Sequence, residues 1–256
     1  MLNFFVELHP LLGVTLSMLA AVVFGLSVYF VSHKLISKYQ EGDSGPPASL
    51  FGVVGMLVGL MLSLSFAKVI SDIRSIDNAI VREAAAILDV SYDLNRYKHD
   101  DTREIQLLLV QYTESVINDD WPALANDRLG KKTTALKIEL LDRLAMLEPT
   151  TALQERLISK IEDDVDAISD HRLVRLNSTL SEPPTYVYVT FLGFLLTMAC
   201  FGAYPPQIPL VVLVGLYAAF VGLVLFLIMT LSDPFQGVGI APTTFEHILE
   251  TMKENS

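Results

Sequence analysis

Four long stretches without a charged side chain constrain this chain more than any other feature of its sequence. They are Leu11–Ser32, Ala48–Ala67, Tyr186–Tyr204 and Ile208–Ser232, of 22, 20, 19 and 25 residues. About 20 apolar residues in a helix, at 1.5 Å rise each, cross a hydrocarbon core of about 30 Å. Because backbone groups in lipid must form hydrogen bonds within their own segment, the four stretches predict four membrane-spanning helices.

Charge is concentrated between the second and third stretches. The block from Lys68 to Thr185 holds 15 of the 18 Lys and Arg residues and 22 of the 29 Asp and Glu residues. It is long enough to form a small domain of its own. Its net negative charge argues against nucleic acid or an anionic lipid surface as its main partner.

The distribution of Lys and Arg near the span ends predicts the topology. With four spans, both termini and the 68–185 block lie on one side of the membrane, and that side carries six basic residues within about 20 residues of a span. These are Lys68, Arg74, Arg82, Arg172, Arg175 and Lys253, against Lys34 and Lys38 on the other side. The excess places the block and both termini in the cytoplasm.

Turn-forming residues divide the chain into two transmembrane hairpins around the insertion. The segments 41–47 and 204–209 are rich in Gly and Pro and close the first and second hairpin. The predicted fold is therefore an all-α membrane protein with four transmembrane helices and a helical cytoplasmic insertion. Its predicted parts are residues 1–67, 68–185 and 186–232, followed by a cytoplasmic tail, 233–256.

Apolar residues at spacings of three and four predict helices throughout the insertion. No Gly or Pro interrupts residues 60–121, so the second span is expected to continue into a cytoplasmic helix as far as Leu94. A second helix is expected to end near Trp121-Pro122, because the residue before a proline disfavours the helical region. Two further helices are expected to bury the stripes Ala135, Ile138, Leu141, Leu144 and Leu153, Leu157, Ile161, Val165, Ile168, Leu176.

Small residues recur every four positions in the first two spans. The rows are Gly13, Ser17, Ala21, Gly25 in the first span and Gly55, Gly59, Ser63, Ala67 in the second. Residues four apart share a helix face, so each row forms a smooth groove that permits close helix packing in lipid. The alternative for the second row is that it faces a narrow pore, where small side chains leave the passage open.

Residues for catalysis, ion-coupled transport or metal binding are not apparent. No span contains a charged residue, which disfavours a proton- or ion-coupled transporter. The insertion lacks HExxH, a Gly-rich phosphate loop and a nucleophile elbow, so we expect neither an enzyme nor a cofactor. The acidic run at 162–166 lacks the glycine of a calcium loop and is interpreted as a solvated helix face. Cys200 is the single cysteine and is expected to pack as a small apolar side chain.

The order of several short motifs resembles the bacterial bestrophin-like integral membrane domain family. After the last span comes Ser232-Asp233-Pro234-Phe235-Gln236-Gly237, and the insertion contains Arg82-Glu83-Ala84, Tyr112 with Asp120-Trp121-Pro122, and Arg172-Leu173-x-Arg175-Leu176. The resemblance extends from about Gly52 to Phe245. It marks eight residues as a structural signature: Trp121, Pro122, Arg172, Arg175, Asp233, Pro234, Phe235 and Gly237.

The resemblance implies a distant relation to bestrophins, which are homopentameric ion channels with a pore lined by the second transmembrane helix. It therefore implies self-association, contact with lipid, passage of monovalent ions and a location in the bacterial inner membrane. The pore-lining residues expected on this basis are Gly55, Gly59, Ser63, Phe66 and Lys68. Phe66 is expected to form an apolar constriction beside Lys68 at the cytoplasmic mouth. Lys68 favours anions and the negative insertion favours cations, which leaves the sign of the permeant ion open.

A second hypothesis is a membrane-anchored sensor or scaffold whose insertion docks a cytoplasmic partner. The long second helix is suited to transmitting motion as well as to lining a vestibule. The exposed face of its cytoplasmic part distinguishes the two hypotheses. A vestibule wall is expected to be polar there, whereas a docking face is expected to keep an apolar patch.

Overall fold

The structure is a computed structural model that describes residues 10–36, 45–98, 102–126, 128–177, 185–232, 234–235 and 239–254. Within these residues every regular element is helical. In chain order they are α1 (Pro10–Ile36), α2 (Gly45–Tyr97), α3 (Thr102–Ser115), a π-helix (Val116–Asp120), α4 (Trp121–Leu124), α5 (Lys131–Ala145), α6 (Ala152–Asn177), α7 (Thr185–Phe201), α8 (Ile208–Leu231) and α9 (Thr243–Glu254). The helical fold class is confirmed.

The chain divides into two compact units. We call residues 1–71 with 182–233 the apolar unit, and residues 72–181 with 234–256 the polar unit. The apolar unit contains α1, the first part of α2, α7 and α8. The polar unit contains the rest of α2, the helices from α3 to α6, and α9. The polar unit thus includes the chain that follows the last predicted span as well as the insertion.

Three described helices are long and apolar enough to cross a membrane, and they lie in the first, second and fourth predicted spans. The third predicted span, Tyr186–Tyr204, corresponds to α7, an apolar helix of 17 residues that ends at Phe201. A turn follows because Gly202 lies against α1: a Cβ there would be 2.5 Å from Ser32 Cβ. The side chains of α1 also close this turn, since the Tyr29 hydroxyl donates to the Tyr204 carbonyl at 3.2 Å.

The helix α2 is continuous over 53 residues, which confirms that the second span runs on past Leu94. Its buried residues keep one periodicity throughout, as an unbroken helix requires. In the polar unit they join a core formed with α3, α4, α5, α6 and α9, to which Ile87, Leu109, Leu124, Ile161 and Phe245 contribute fully buried side chains. This core holds the polar unit together.

Two predictions about the insertion are wrong. The helical segment that begins with α3 does not end at Trp121-Pro122 but continues through the π-helix and α4 to Leu124. Pro122 directly follows the π-helix, at the point where the backbone hydrogen bonding changes back to the α pattern. On α5, Ala135, Ile138 and Leu141 are exposed although they were expected to be buried.

One face of α5 combines a polar contact with buried leucines. The Thr133 hydroxyl donates to the Ser115 carbonyl at 2.9 Å, and Leu140 and Leu144 on the same face join the core. Only Leu144 of the predicted stripe is buried. On α6 the predicted stripe is buried except for its first residue, Leu153, which is 56% exposed at the start of the helix.

Candidate functional site

The outer face of α2 in the apolar unit is not covered by any other part of the chain that the structure describes. A Cβ built on Gly55 or Gly59 would meet no atom within 4 Å. Met56 beside them is 79% exposed, and Val53, Leu57, Leu60 and Leu64 are exposed as well. The opposite face packs inward through Val54, Val58, Leu62, Ser65 and Val69. The second small-residue row therefore lies on a surface that the described residues of the protomer leave open.

The small-residue row of α1 behaves differently, because it packs against α8. A Cβ on Gly222 would lie 2.5 Å from Ala21 Cβ, and the Ser17 hydroxyl lies 3.3 Å from the Gly222 carbonyl. Gly25 faces Ala218 on the same helix, where an added Cβ would be 3.0 Å away. Close helix packing is therefore confirmed for the first row.

The predicted pore residues do not all share one side of α2. At 3.6 residues per turn, Ser63 lies about 60° around the helix from Phe66, whereas Lys68 lies about 140° from Ser63. Phe66 is 40% exposed, so its ring is available on the outer surface. Lys68 is engaged in an interaction within the structure. Ser63 and Phe66 therefore lie on the same side of α2 as Gly55 and Gly59, whereas Lys68 lies on a different side.

A buried ion-pair network occupies the centre of the polar unit. Arg175 on α6 donates from Nε and Nη2 to the two carboxylate oxygens of Glu83 on α2, at 2.9 Å each. Its Nη2 also donates to Asp120 Oδ2 at 3.2 Å. All three side chains are fully buried. Buried charges of this kind persist only when they are paired and hydrogen-bonded.

A second arginine completes the network and balances its charge. Arg172 donates from Nε and Nη2 to the two oxygens of Asp120, at 3.0 and 3.1 Å, and its Nη2 also donates to Thr134 Oγ1. Two arginines and two carboxylates therefore neutralise each other in a site closed to solvent. They connect α2, the π-helix, α5 and α6.

Two side chains at the network, Arg175 and Tyr112, have raised pKa values. Burial disfavours the charge on Arg175, but the adjacent Glu83 and Asp120 carboxylates outweigh it and raise the pKa of this guanidinium. Burial, together with the Glu83 charge, also raises the pKa of Tyr112, whose hydroxyl lies 3.4 Å from Glu83 Oε1. A tyrosine that stays protonated is a hydrogen-bond donor to the carboxylate. The network is thus suited to fixing helices in place rather than to exchanging protons.

The π-helix directs two adjacent aspartates to the start of α5. Asp120 Oδ1 accepts from the Gly130 backbone N–H at 3.2 Å, and Asp119 Oδ2 accepts from the Thr133 N–H at 3.0 Å. The N-cap residue of α5 is Gly130, which has no side chain to supply these bonds. A Cβ at Gly130 would collide with Asp120 Oδ1 and would lie 2.9 Å from the Asp120 backbone nitrogen, so the close approach requires glycine.

Three aromatic side chains, Trp121, Phe235 and Phe245, pack together next to Arg175 of the network. The Trp121 ring makes edge contacts with Phe235 and Phe245, at centroid distances of 5.4 and 5.6 Å. Its Nε1–H donates to the Ile240 carbonyl at 2.9 Å. Arg175 lies over both Trp121 and Phe245, a cation–π arrangement. The segment after α8 is thereby attached to the polar unit.

The structure brings together most of the predicted signature residues. Trp121, Arg172, Arg175 and Phe235 belong to the network or its aromatic enclosure, and Pro234 is buried beside Phe235. Pro122 is exposed next to the network. Asp233 and Gly237 lie outside the described residues.

Sequence reasoning did not identify Glu83 and Asp120 as the partners of these arginines. For Glu83 a signal was present, because it lies on the apolar stripe of α2 between Ile80 and Ile87. A charged residue on a buried stripe requires a partner of opposite charge. For Asp120 the signal was weaker, because the sequence does not show which of the two adjacent aspartates, Asp119 or Asp120, binds the arginines. The π-helix decides this by orienting both side chains.

A metal site is not apparent in the described part of the chain. No group of three or more His, Cys, Asp or Glu side chains there has an arrangement that holds a metal ion. The acidic residues Glu162, Asp163, Asp166 and Asp170 are exposed along α6. Their exposure agrees with a solvated helix face.

Comparison with solved structures shows the same fold in known membrane proteins. A variant of a bacterial bestrophin homologue from Klebsiella pneumoniae aligns with a TM-score of 0.64 and 14% identity, covering 94% of this chain and 97% of that one. A second variant of a homologue from that organism aligns with a TM-score of 0.59 and 15% identity, over 94% and 96% of the two chains. A crystallised membrane protein aligns with a TM-score of 0.68 and 14% identity, over 94% and 97%.

Comparison with curated proteins gave no match. Comparison with family models gave the Bestrophin-like domain over residues 14–243, which is nearly the whole chain. The match includes the predicted pore residues, the buried network and all eight signature residues. The chain is therefore a membrane protein that belongs to the Bestrophin-like domain family.

Proposed function

We propose that this protein is a homo-oligomeric ion channel whose pore is lined by α2 from each subunit. In this proposal α1, α2, α7 and α8 all cross the bacterial plasma membrane, and both termini and the polar unit are cytoplasmic. Five subunits are favoured by the resemblance to bestrophins. The permeant species are monovalent ions.

The uncovered face of α2 is the observation that carries the proposal. Gly55 and Gly59 have no neighbour within 4 Å of an added Cβ, while the small residues of α1 are already packed against α8. A row of small residues left bare in the protomer is suited to lining a narrow passage that several copies enclose. No charged residue lies in the predicted spans, so a single protomer offers no polar path for an ion.

The exposed face of α2 in the polar unit favours the same function. Its exposed residues are mostly polar, as expected of a vestibule wall: Asp72, Arg74, Ser75, Asp77, Asn78, Val81, Arg82, Ala85, Asp89 and Tyr92. The Klebsiella pneumoniae neighbours are described as bestrophin homologues, and the family relation makes a channel the function most compatible with this fold.

A scaffold remains the alternative, and one observation favours it. The exposed side of α5 carries Ile138 and Leu141, and Met146 just after it is 73% exposed. An apolar stripe of this kind is expected where another protein docks. The same purified protein distinguishes the two functions, because only a channel conducts ions without a cytoplasmic partner.

The test is ion flux through purified protein in liposomes with an imposed salt gradient. We expect flux from the wild type and a larger flux from Phe66→Ala, because a wider and less apolar constriction is wetted more readily. Phe220→Ala is the matched control, since Phe220 on α8 is also exposed, at 58%, but lies on another helix. Correctly assembled protein that is silent as wild type and as Phe66→Ala would refute the channel.

A further inference from the structure

The outward side of α6 carries a row of carboxylates, which we call the acidic ridge: Glu162, Asp163, Asp166 and Asp170. All of them are exposed, and none forms an ion pair with another residue that the structure describes. By helix geometry the other three lie within about 60° of Asp166 around α6. Glu162, Asp166 and Asp170 are four residues apart, a spacing at which like charges repel one another. The ridge therefore destabilises the isolated protomer.

The segment that leads into α5 carries the opposite charge. We call it the basic segment, and its exposed side chains are Arg128, Leu129, Lys131 and Lys132. Its three charges form no ion pair with another residue in the described part of the chain. Lys131 and Lys132 lie in the first turn of α5, where the helix dipole disfavours cations. The carboxylates of Asp119 and Asp120 bind the backbone of this turn and leave both lysines unpaired.

The exposed apolar stripe of α5 lies on the same side of the polar unit as the acidic ridge. Arg172 of α6 donates to Thr134 Oγ1 of α5 at 3.2 Å. One turn along α5, burial lowers the pKa of Lys137 and the nearby Asp166 charge offsets part of this, so the two helices run antiparallel. Counted in the same sense about each chain direction, Ile138 lies about 40° from Thr134 and Asp166 about 120° from Arg172. In antiparallel helices these rotations turn both residues to the same outer side. A partner that covers the stripe therefore also meets the carboxylates.

We propose that this face is a contact between subunits, in which the acidic ridge and the apolar stripe of one copy receive the basic segment of the next. The inference rests on the proposed function, because it requires a homo-oligomer. Opposite charges that are unpaired in the protomer then meet across the interface, and this complementarity fixes the partner and its register. The two surfaces differ, so the contact is heterologous and closes into a ring when its rotation permits.

The contact also gives the exposed apolar residues an occupant. Ile138 and Leu141 on α5 are 56% and 38% exposed, and Leu173 at the end of the ridge is 56% exposed. In the basic segment, Leu129 is 50% exposed between the charged residues. A contact that joins these side chains buries apolar surface at its centre and places the charges around it, as in other protein interfaces. A cytoplasmic partner is then not needed to explain the stripe of α5.

The experiment measures the assembly of the purified protein in detergent by light scattering at a series of protein concentrations. We expect the double variant Asp166→Lys, Asp170→Lys to raise the concentration of half-dissociation about ten-fold or more, because like charges then face each other. The double variant Lys131→Glu, Lys132→Glu should have the same effect. Combining all four substitutions should restore assembly, because the facing charges are opposite again.

The matched control is the double variant Glu246→Lys, Glu250→Lys. It reverses two exposed carboxylates that are also four residues apart, but on α9. Its concentration of half-dissociation should equal that of the wild type. A loss of assembly in this control as large as in the ridge variant would show an effect of net charge alone and would overturn the contact.

The possible outcomes separate this inference from the proposed function. A wild type that is monomeric at every concentration refutes the homo-oligomer and, with it, the contact. An assembled wild type whose reversal variants assemble equally well, or whose combined variant is not restored, refutes the contact alone. An assembled protein that loses and regains assembly as expected but conducts no ions refutes the channel and supports the contact.

If a reversal variant fails to fold, as judged by Trp121 fluorescence, disulfide formation between copies replaces it. Two variants in a Cys200→Ala background are co-expressed, one with Leu129→Cys and the other with Leu173→Cys. Leu173 lies about 20° around α6 from Asp166, on the ridge. Oxidation should link the two kinds of copy to each other and should leave each kind unlinked when it is expressed alone. Assembled protein that forms no such link overturns the inference.

Discussion

Arg175 and Glu83 form a two-pronged ion pair between α6 and α2 in which both side chains are fully buried. The two residues are 92 positions apart in the sequence. Their pairing therefore fixes one turn of α2 against one turn of α6 inside the polar unit. Neither side chain is accessible to bulk solvent.

Replacing Arg175 by Leu should lower the free energy of unfolding by about 3–5 kcal/mol, because it leaves two buried carboxylates with a single arginine. The unfolding of the purified protein in detergent by guanidinium measures this loss. Trp121 is the only tryptophan, so its fluorescence reports on the enclosure of the network. The control is Arg96→Leu, which removes an exposed arginine from Asp93 while this carboxylate keeps its ion pair with Lys160, and it should cost less than about 1 kcal/mol. Equal losses in the two variants would contradict a structural role for the network.

Gly222→Ala and Gly59→Ala should differ in their effect on stability. A methyl group at Gly222 would meet Ala21 Cβ at 2.5 Å, so we expect a cost of roughly 1–3 kcal/mol from overpacking. At Gly59 no described atom of the protomer lies within 4 Å of the added methyl group, so the thermal unfolding of monomeric protein should be unchanged. An equal loss of stability at both positions would mean that the row of small residues on α2 packs against its own chain.

Gly59→Leu tests what covers that row in the assembled protein. If a neighbouring helix backbone approaches there, the larger side chain should dissociate the oligomer on a sizing column. If the row faces a pore, the oligomer should stay intact and its conductance should change. An unaffected oligomer with unaffected conductance would mean that the row faces lipid.

Asp164→Asn should make stability less sensitive to pH. Burial raises the pKa of Asp164, and the Lys160 charge offsets this only in part. A carboxyl group whose pKa is raised by folding stabilises the native state below its unfolded pKa, and this contribution disappears as pH rises through the folded value. The free energy of unfolding of Asp164→Asn should therefore increase relative to wild type as pH rises from about 4 to 7. Asp163→Asn, at an exposed position, should run parallel to wild type.

Cysteine labelling should place the two loops on opposite sides of the membrane. In a Cys200→Ala background, Gln207→Cys should react with an impermeant thiol reagent added to intact cells, whereas Glu148→Cys should react only after lysis. Both positions are exposed, so the difference reports on the side of the membrane and not on burial. The reverse pattern would invert the predicted topology.

Sequence features that extend over many residues predicted the helical fold class and the length of α2 well. The absence of charge over each span and the regular stripe from Val69 to Leu94 depend on many residues at once, and α2 is continuous as expected. Predictions that depended on a few residues were less secure. The stripe of α5 was assigned to the wrong face because Leu136, Leu140 and Leu144 form a second apolar stripe on the same helix, and it is this stripe that packs against the core.

The buried network was beyond prediction for a different reason. Its members lie on α2, the π-helix and α6, so their pairing depends on packing between distant segments. Helical periodicity indicates which face is buried but not which buried charges meet. The motif order identified Arg172 and Arg175 as important, and only the structure identified Asp120 as the residue that binds both.

The contact between Trp121 and the segment that follows α8 also has a consequence for biosynthesis. Residues 72–181 emerge from the ribosome well before Phe235, Ile240 and Phe245, which complete their core. At roughly 5–20 residues per second, translation of the intervening hairpin takes several seconds. Throughout that interval the nascent polar unit lacks α9, and the Trp121 ring lacks its contacts with Phe235 and Phe245. Its final folding is therefore delayed until the last membrane segment has been synthesised.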